Sequence, residues 1–324
     1  MNPFAGKQDL PTPLQDILDA VALKLATNQG ASQRLFHGRG QTYPGLEFIT
    51  IDLFAPVLLV TLYREPTANW LDELVERLGQ LADGEIFDCI AVQRRDGKNV
   101  SLTIAHGELP TRLYAKEDEL CYQITLGETQ NIGFFLDMQP GRDWLRAQAR
   151  DKKILNLFAY TCSFSVAALA GGARQVINID MSRTALATGR SNHLLNFPAQ
   201  TVADKVIFRD FEILRSIGWL AKRSPFDILV IDPPSYQPGS FIAAKDYPRL
   251  IKRMPRLVKP GSLILACLNA RNLQPEFLLQ SFAQNFPAAK FVQRLTNSAD
   301  FPDVDAEQSL KLMLFRVAEL EHPT

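Results

Sequence analysis

The sequence predicts an α/β chain: a doubly wound, mostly parallel sheet, with a smaller N-terminal α+β domain in front of it. Three observations carry this. From Ile154 onward, short β-rich runs alternate with helical stretches, and successive runs begin roughly twenty to thirty residues apart, the size of a βαβ unit. Before about Pro110 the order is strand, strand, helix, strand, strand. A chain of 324 residues, 46% hydrophobic and 22% charged, holds enough apolar material for two cores.

Taken in order, Leu14 to Leu25 has the apolar spacing of an amphipathic helix. Phe48–Leu53 and Val57–Tyr63 read as strands around the turn at Ala55-Pro56. Trp70 to Leu81 places Leu71, Leu74, Val75 and Leu78 on one helical face. Ile86–Gln93 and Val100–Ile104 form the second strand pair, joined by the turn Arg95-Asp96-Gly97-Lys98. Leu120–Leu126 and Phe134–Leu136 are expected strands near the boundary, which falls between Ala115 and Gly133. The expected domains are therefore residues 1–127 and 128–324. In the second, Ile154–Phe158, Gln175–Asp180, Lys205–Arg209, Asp227–Ile231 and Ser262–Cys267 are the sheet strands. A helix is expected around Asp246–Val258, and Pro275 sits where a helix starts, as its fixed φ favours. Phe291–Leu295 and Leu310–Val317 suit an antiparallel edge.

Composition narrows the function. Lys plus Arg and Asp plus Glu number 35 each, so the whole chain lacks a strong positive field. Basic residues nevertheless cluster at Arg142, Arg146, Arg150, Lys152 and Lys153, and again at Lys245, Arg249, Lys252, Arg253, Arg256 and Lys259. Spacings of three and four give such groups a common face suited to phosphates, although a solvated helix face looks the same. The four cysteines are widely spaced with no CxxC pair, which points to a reduced, cytoplasmic chain without a metal site. Neither a signal pattern nor an apolar run of membrane-spanning length is present, so no membrane partner is expected.

Three successive strands end at an aspartate: Asp180, Asp210 and Asp232. Ligands of an open α/β sheet bind outside the carboxyl ends of its strands, where a carboxylate can accept both hydroxyls of a ribose. Each aspartate alone could merely begin a turn, and Ser182 could cap the next helix. Together they favour a nucleoside-like ligand. A nicotinamide dehydrogenase would need glycines in the first strand-to-helix turn, where backbone approaches pyrophosphate. Here that turn reads Ala159-Tyr160-Thr161-Cys162-Ser163-Phe164, without glycine. S-adenosyl-L-methionine (AdoMet) carries no phosphate and leaves this turn freer to vary. Asp232-Pro233-Pro234-Ser235 follows an apolar strand; two prolines fix φ and remove two donors, leaving a stiff turn able to position a flat base.

These residues resemble the large-subunit ribosomal RNA methyltransferases of the cytosine carbon-5 and guanine N7 types. The resemblance runs through YPGLEF, GELPTRL, NIGFFLDMQPGR, LNLFAYTCSFSVAALAGGA, INIDMSRTAL and FDILVIDPPS, roughly Arg34 to the C-terminus. It implies a Rossmann-like class I methyltransferase sheet. It further implies AdoMet contacts at Asp137, Arg142, Asn156, Phe158, Tyr160, Thr161, Asp180, Ser182 and Asp210, with base contacts at Asp232, Pro233, Pro234 and Ser235. Cys162 departs from the family, which usually has Gly there, and the DMQ at Asp137–Gln139 lacks the usual Arg in third place. The RNA-binding PUA domain that precedes the cytosine-type enzymes is expected to be absent.

Carbon-5 of cytosine is not nucleophilic, so that chemistry needs a cysteine to add to the ring first. Cys267, at the end of the fifth strand, is the candidate, although Leu268-Asn269-Ala270-Arg271 after it resembles the guanine N7 type better. Its alternative is a small buried apolar residue. The expectation is thus an AdoMet-dependent methyltransferase acting on a base in RNA, with 23S ribosomal RNA the expected substrate. A protein or small-molecule methyltransferase, or an RNA-binding or ribosome-assembly factor that has lost catalysis, are the alternatives.

Overall fold

A computed structural model describes residues 13–81, 86–96, 99–127, 129–234, 236–237 and 241–319. Contacts divide the chain into two units. One takes in Met1–Asp118, Thr125–Ile132 and Asp300–Val304, the other Glu119–Ile124, Gly133–Ala299 and Asp305–Thr324.

The first unit contains α1 (Pro13–Leu25), β1 (Gln33–His37), β2 (Ile49–Phe54), β3 (Val57–Leu62), α2 (Ala68–Gln80), β4 (Cys89–Asp96), β5 (Asn99–His106) and β6 (Leu113–Glu117). Its five-stranded sheet runs β1-β2-β3-β4-β5. Only β3 and β4 are parallel, because α2 is the crossover between them; the other neighbours are antiparallel. The helices bury stripes at helical spacing, Leu14, Ile17, Leu18 and Val21 from α1 and Leu71, Leu74 and Leu78 from α2, against Ile51, Leu58, Val60 and Ile90. Strand β1 was not expected from the sequence. Its five residues carry two polar ends around Leu35 and Phe36, too short a pattern to stand out. The return of Asp300–Val304 was equally invisible. A Cβ on Gly40 would lie 1.7 Å from the Pro302 carbonyl oxygen, and Val304 N donates to Gly40 O at 2.9 Å, so glycine is what lets the segment lie there.

The second unit begins with β7 (Leu120–Ile124) and continues through α3 (Gln139–Gln148), β8 (Lys153–Leu157), α4 (Ser163–Ala170), β9 (Gln175–Ile179), α5 (Arg183–Asn196), α6 (Ala199–Lys205), β10 (Val206–Arg209), α7 (Ile213–Ala221) and β11 (Phe226–Ile231). After the short pair β12 (Tyr236–Gln237) and β13 (Phe241–Ile242) come α8 (Ala243–Ile251), β14 (Val258–Leu268), α9 (Pro275–Asn285), β15 (Ala289–Arg294) and β16 (Lys311–Val317). The sheet order is β10-β9-β8-β11-β14-β16-β15, parallel from β10 to β14, with β16 antiparallel to both neighbours. This is the doubly wound sheet that the alternating pattern predicts. Its two faces are covered separately: Leu155, Ile177, Leu229 and Ile264 pack on one, Ile154, Val176, Ile228 and Leu265 on the other. Consecutive residues thus face opposite cores, which is why these strands read as unbroken apolar runs.

Two expectations differ from the structure. Phe134–Leu136 is not a strand; Gly133 turns the chain at φ 107°, and a single 3₁₀ turn at Leu136–Met138 leads into α3. Helix α3 itself was not anticipated, since Pro140 and Gly141 in its first turn mask the apolar positions that follow. The helix expected around Asp246–Val258 ends earlier, at Ile251, with a 3₁₀ turn at Met254–Arg256 built on Pro255.

Candidate active site

Strand order reverses between β8 and β11, so the chain leaves these neighbours in opposite directions and their carboxyl ends open a crevice. The segment after β8 is the most constrained backbone in this unit. Phe158, Tyr160 and Cys162 have φ of 59°, 47° and 63°, three non-glycine residues in a left-handed conformation within five positions. Each costs roughly 1–2 kcal/mol, and such clusters persist where surrounding contacts over-determine them. Those contacts are present. Ala159 N donates to Ile179 O at 3.0 Å, Tyr160 N to Asp180 Oδ2 at 2.8 Å, and Cys162 N to Ala159 O at 2.7 Å. The Thr161 hydroxyl donates to Gly133 O at 2.6 Å, and Asn192 Nδ2 to Thr161 O at 2.9 Å.

The positive φ at Cys162 explains why glycine suits this position. What admits a side chain here is Gly189 on α5: a Cβ there would come within 2.4 Å of the Cys162 sulfur. The bulk gained at one position is matched by the bulk missing at the other. Burial pushes the Cys162 thiol well above its ordinary range, so it packs as an apolar group.

Asp180 directly follows β9. Its Oδ2 accepts Tyr160 N and its Oδ1 accepts Ser182 N, both at 2.8 Å, while the Ser182 hydroxyl caps α5 through Ala185 N at 3.1 Å. Each carboxylate oxygen keeps lone-pair capacity for another donor, the geometry a vicinal diol requires. Asp210, following β10, pairs with Arg183 at the surface, and this partner holds its carboxyl below the usual range.

Asn156 is buried in β8 and opens a chain of hydrogen bonds. Its Nδ2 donates to Asn178 Oδ1 (3.0 Å), Asn178 Nδ2 to Ser165 Oγ (2.9 Å), and Ser165 Oγ lies 2.8 Å from His193 Nε2. His193 Nδ1 meets Gly189 O at 2.7 Å. Because that carbonyl only accepts, Nδ1 carries the proton, Nε2 accepts from Ser165, and the direction of the whole chain is set. Burial lowers the His193 pKa to about 4, so the ring is neutral near pH 7. Farther along α5, Asn196 both donates to Cys121 O (2.7 Å) and accepts from Cys121 N (2.9 Å), serving β7 as another strand would.

On the other side of the crevice, Asp232 follows β11, with Pro233 buried and Pro234 half-buried. Burial, reinforced by the negative charge of Asp137 and opposed by Arg142, raises the Asp232 carboxyl to about 7. Arg142 is buried in α3, stacked 4.2 Å from the Phe134 ring centre, and donates to Phe135 O at 2.9 Å. The buried Tyr247 hydroxyl reaches Ile231 O (3.3 Å) and Cys267 O (3.1 Å), tying the ends of β11 and β14 together. Phe158 packs edge-on against Phe241, with ring centres 4.9 Å apart. Ser235 lies outside the described residues.

Cys267 is fully buried in β14, and its thiol is pushed well above the ordinary range by burial first, then by Asp232 and Asp137. A thiolate beside two carboxylates is disfavoured. Asn269, two residues later, is exposed. Of the two basic clusters, the first does not form a common face, since Arg142 is interior and Lys153 Nζ donates to Arg223 O. In the second, Lys245, Arg249, Lys252, Arg253, Arg256 and Lys259 are all exposed.

The model of the S-adenosylmethionine-dependent methyltransferase family matches residues 33–316. The chain belongs to that family. It is 29% identical over 283 residues to the ribosomal RNA large subunit methyltransferase I of Cronobacter sakazakii, a match covering 84% of this chain and 70% of the relative. Among solved structures, a protein of Streptococcus mutans described as a SAM-dependent methyltransferase superposes with a TM-score of 0.80 at 23% identity, over 94% of this chain and 81% of the other. The methyltransferase structure SMU.776, complexed with SAH, gives 0.78 at 24% identity over 94% and 82%. The fold is the Rossmann-like class I sheet, the enzyme is a methyltransferase, and its cofactor is AdoMet.

The residues present fit that cofactor. Asp180 is oriented by two backbone N–H groups yet has acceptor capacity left, and the crevice beside it holds no glycine-rich pyrophosphate turn. Sequence reasoning missed Asn178, Ser165, His193, Gly189 and Tyr247. One signal was available: Asn156 and Asn178 interrupt otherwise apolar strands, and a buried amide demands a partner. The register pairs them directly.

Proposed function

We propose that this enzyme methylates a base of RNA, with large-subunit ribosomal RNA as substrate, at an atom that is already nucleophilic. The supporting observation is the pairing, across one crevice, of the pre-oriented Asp180 with the stiff Asp232-Pro233-Pro234 turn. The relative's name supports the choice of ribosomal RNA.

AdoMet supplies an electrophilic methyl group on a sulfonium. In this reading Asp180 accepts the ribose hydroxyls, and Ser182 N–H holds its carboxylate in place. Asp210 takes the adenine amino group, exchanging Arg183 for it. Phe158, Tyr160 and Thr161 wall the cofactor through the left-handed turn, and Asn156 fixes that turn from below through Asn178. Arg142 and Asp137 set the charge around the methionine end and around Asp232. Asp232, Pro233, Pro234 and Ser235 receive the flipped base, the prolines excluding water from one side. The N-terminal α+β unit serves as the RNA-substrate module. Because Cys267 is buried with a raised pKa, the reading favours a ring nitrogen such as guanine N7 over cytosine carbon-5.

Calorimetry with AdoMet and with NAD tests the cofactor half; tighter binding of NAD sinks it. Methyl incorporation into stripped ribosomal RNA, assembled subunits, total protein and small metabolites tests the substrate. Label confined to protein or metabolites would replace RNA as the substrate. Mass spectrometry of ribosomal RNA from a deletion strain then names the base and atom.

A further inference from the structure

One end of the first unit's sheet gathers an arginine–aromatic cluster that the reading above does not use. Strands β1, β3 and β4 finish at this end and β2 starts there: Ile49 pairs with Leu62, Leu62 with Arg94, and Tyr63 N donates to Phe48 O at 2.7 Å. The topology therefore brings together Arg39, from the 3₁₀ turn after β1, Phe48, Tyr63, Arg64 and Arg95.

The Arg39 guanidinium lies 4.0 Å from the Tyr63 ring centre, and Arg95 lies 5.7 Å from the same ring. Arg64 sits 5.2 Å from the Phe48 ring centre, and Phe48 packs edge-on against Trp70. Arg39 and Arg64 are exposed. Two carboxylates are close by. Glu65 is engaged by Arg94 at 3.1 Å, and Glu47 accepts Gly45 N at 2.9 Å, with Arg64 the smallest of the influences on its titration. Among the residues whose side chains are described, no carboxylate lies within ion-pair distance of Arg39, Arg64 or Arg95; the Arg95 Nε donates to Gln93 Oε1 at 2.9 Å.

A guanidinium stacked on a ring has its plane fixed while its N–H edge stays available, so little rotamer freedom is lost when it binds a phosphate. Its outer face extends the aromatic surface on which an unstacked base can lie. A solvated arginine face would not need three guanidiniums placed over two rings at one sheet end.

We propose that this end of the α+β sheet is a single-stranded RNA contact surface, with Arg39, Arg64 and Arg95 gripping phosphates and the arginine–aromatic surface they form with Tyr63 and Phe48 receiving unpaired bases. It rests on the RNA reading above and gives the α+β unit its part in it.

The test uses the full chain and a fluorescein-labelled, mixed-sequence 20-nucleotide single-stranded RNA, with anisotropy measured across a salt series. Replacing the three arginines together by glutamine is expected to weaken binding at least tenfold. It should also flatten the slope of log K against log salt by about two, at about 0.7 per lost phosphate contact. AdoMet affinity and thermal unfolding should stay at wild-type values. The triple lysine variant keeps charge but loses stacking, so it should retain the slope while binding several-fold more weakly. Unchanged RNA affinity in the glutamine variant, or wild-type affinity in the lysine variant, overturns the proposal. If that happens while the wild type still methylates ribosomal RNA, only this surface is wrong. If the wild type neither binds nor methylates RNA, the RNA reading fails with it.

Discussion

Replacing Asp232 by asparagine should stabilise the fold while destroying its activity, with a pH dependence that the buried carboxyl dictates. The folded-state pKa of Asp232 is raised from 3.8 to about 7. Between those values the unfolded chain releases its proton and the folded chain holds it. The wild type therefore loses stability, relative to a neutral side chain, as pH climbs from about 4 to about 7, and the full deficit is present above pH 8. At about 1.4 kcal/mol per tenfold change in proton affinity, the deficit is about 4 kcal/mol. The residue as a whole is only partly buried, and allowing for solvent screening puts the expected range at about 2–4 kcal/mol. Urea unfolding followed by tryptophan fluorescence, for both proteins at pH 4, 6 and 8, measures the gap. It should be under about 1 kcal/mol at pH 4 and largest at pH 8. His193 titrates in both proteins, so its effect cancels. A gap that ignores pH, or an asparagine variant less stable at pH 8, would refute the assignment of a buried, desolvated acid.

The same carboxyl makes a binding prediction. In the proposed site the sulfonium faces the base-binding turn, so ionisation of Asp232 near pH 7 should raise AdoMet affinity by up to about tenfold between pH 6 and 8, and S-adenosylhomocysteine, which lacks the sulfonium charge, should show no such rise in calorimetry. In the proposed transfer to a ring nitrogen, Cys267→Ser should keep methyl transfer within a few-fold of wild type, since burial raises the thiol pKa; loss of turnover with retained AdoMet binding would restore the covalent route. Gly189→Ala should cost about 1–3 kcal/mol by driving a methyl into the Cys162 sulfur, and Cys162→Gly should restore it; additive effects in the double-mutant cycle would contradict that contact. Ser165→Ala should cost about 1–3 kcal/mol by breaking the Asn178–His193 chain. Acid unfolding adds a check: the His193 pKa is lowered from 6.5 to about 4, so stability falls as pH drops through that window, and His193→Gln should remove that loss.

The parallel sheet was legible because each strand is a local apolar run closed by a polar residue, and the aspartates marking the crevice sit at those closures. Leu71, Leu74 and Leu78 announced α2 by their spacing alone. The glycine-free turn excluded pyrophosphate without any coordinates. Helix α3 escaped because Pro140 and Gly141 weaken its local pattern, and only packing around Leu145 and Ala149 sustains it. Arg142 shows the same limit at the site. In sequence it belongs to a basic cluster, whereas in the structure it is buried on Phe134.

The sequence by itself determined the sheet, the strand-end acids, the stiff Asp-Pro-Pro turn and, through resemblance, the cofactor. These depend on neighbours within a few residues, where periodicity, proline and side-chain type act directly. Tertiary structure decided the proton-ordered chain from Asn156 to His193, the exchange of bulk between Cys162 and Gly189, the raised pKa of Asp232 and the arginine–aromatic sheet end. Each of these joins residues tens of positions apart, and burial and hydrogen-bond direction acquire values only once the chain has closed on itself.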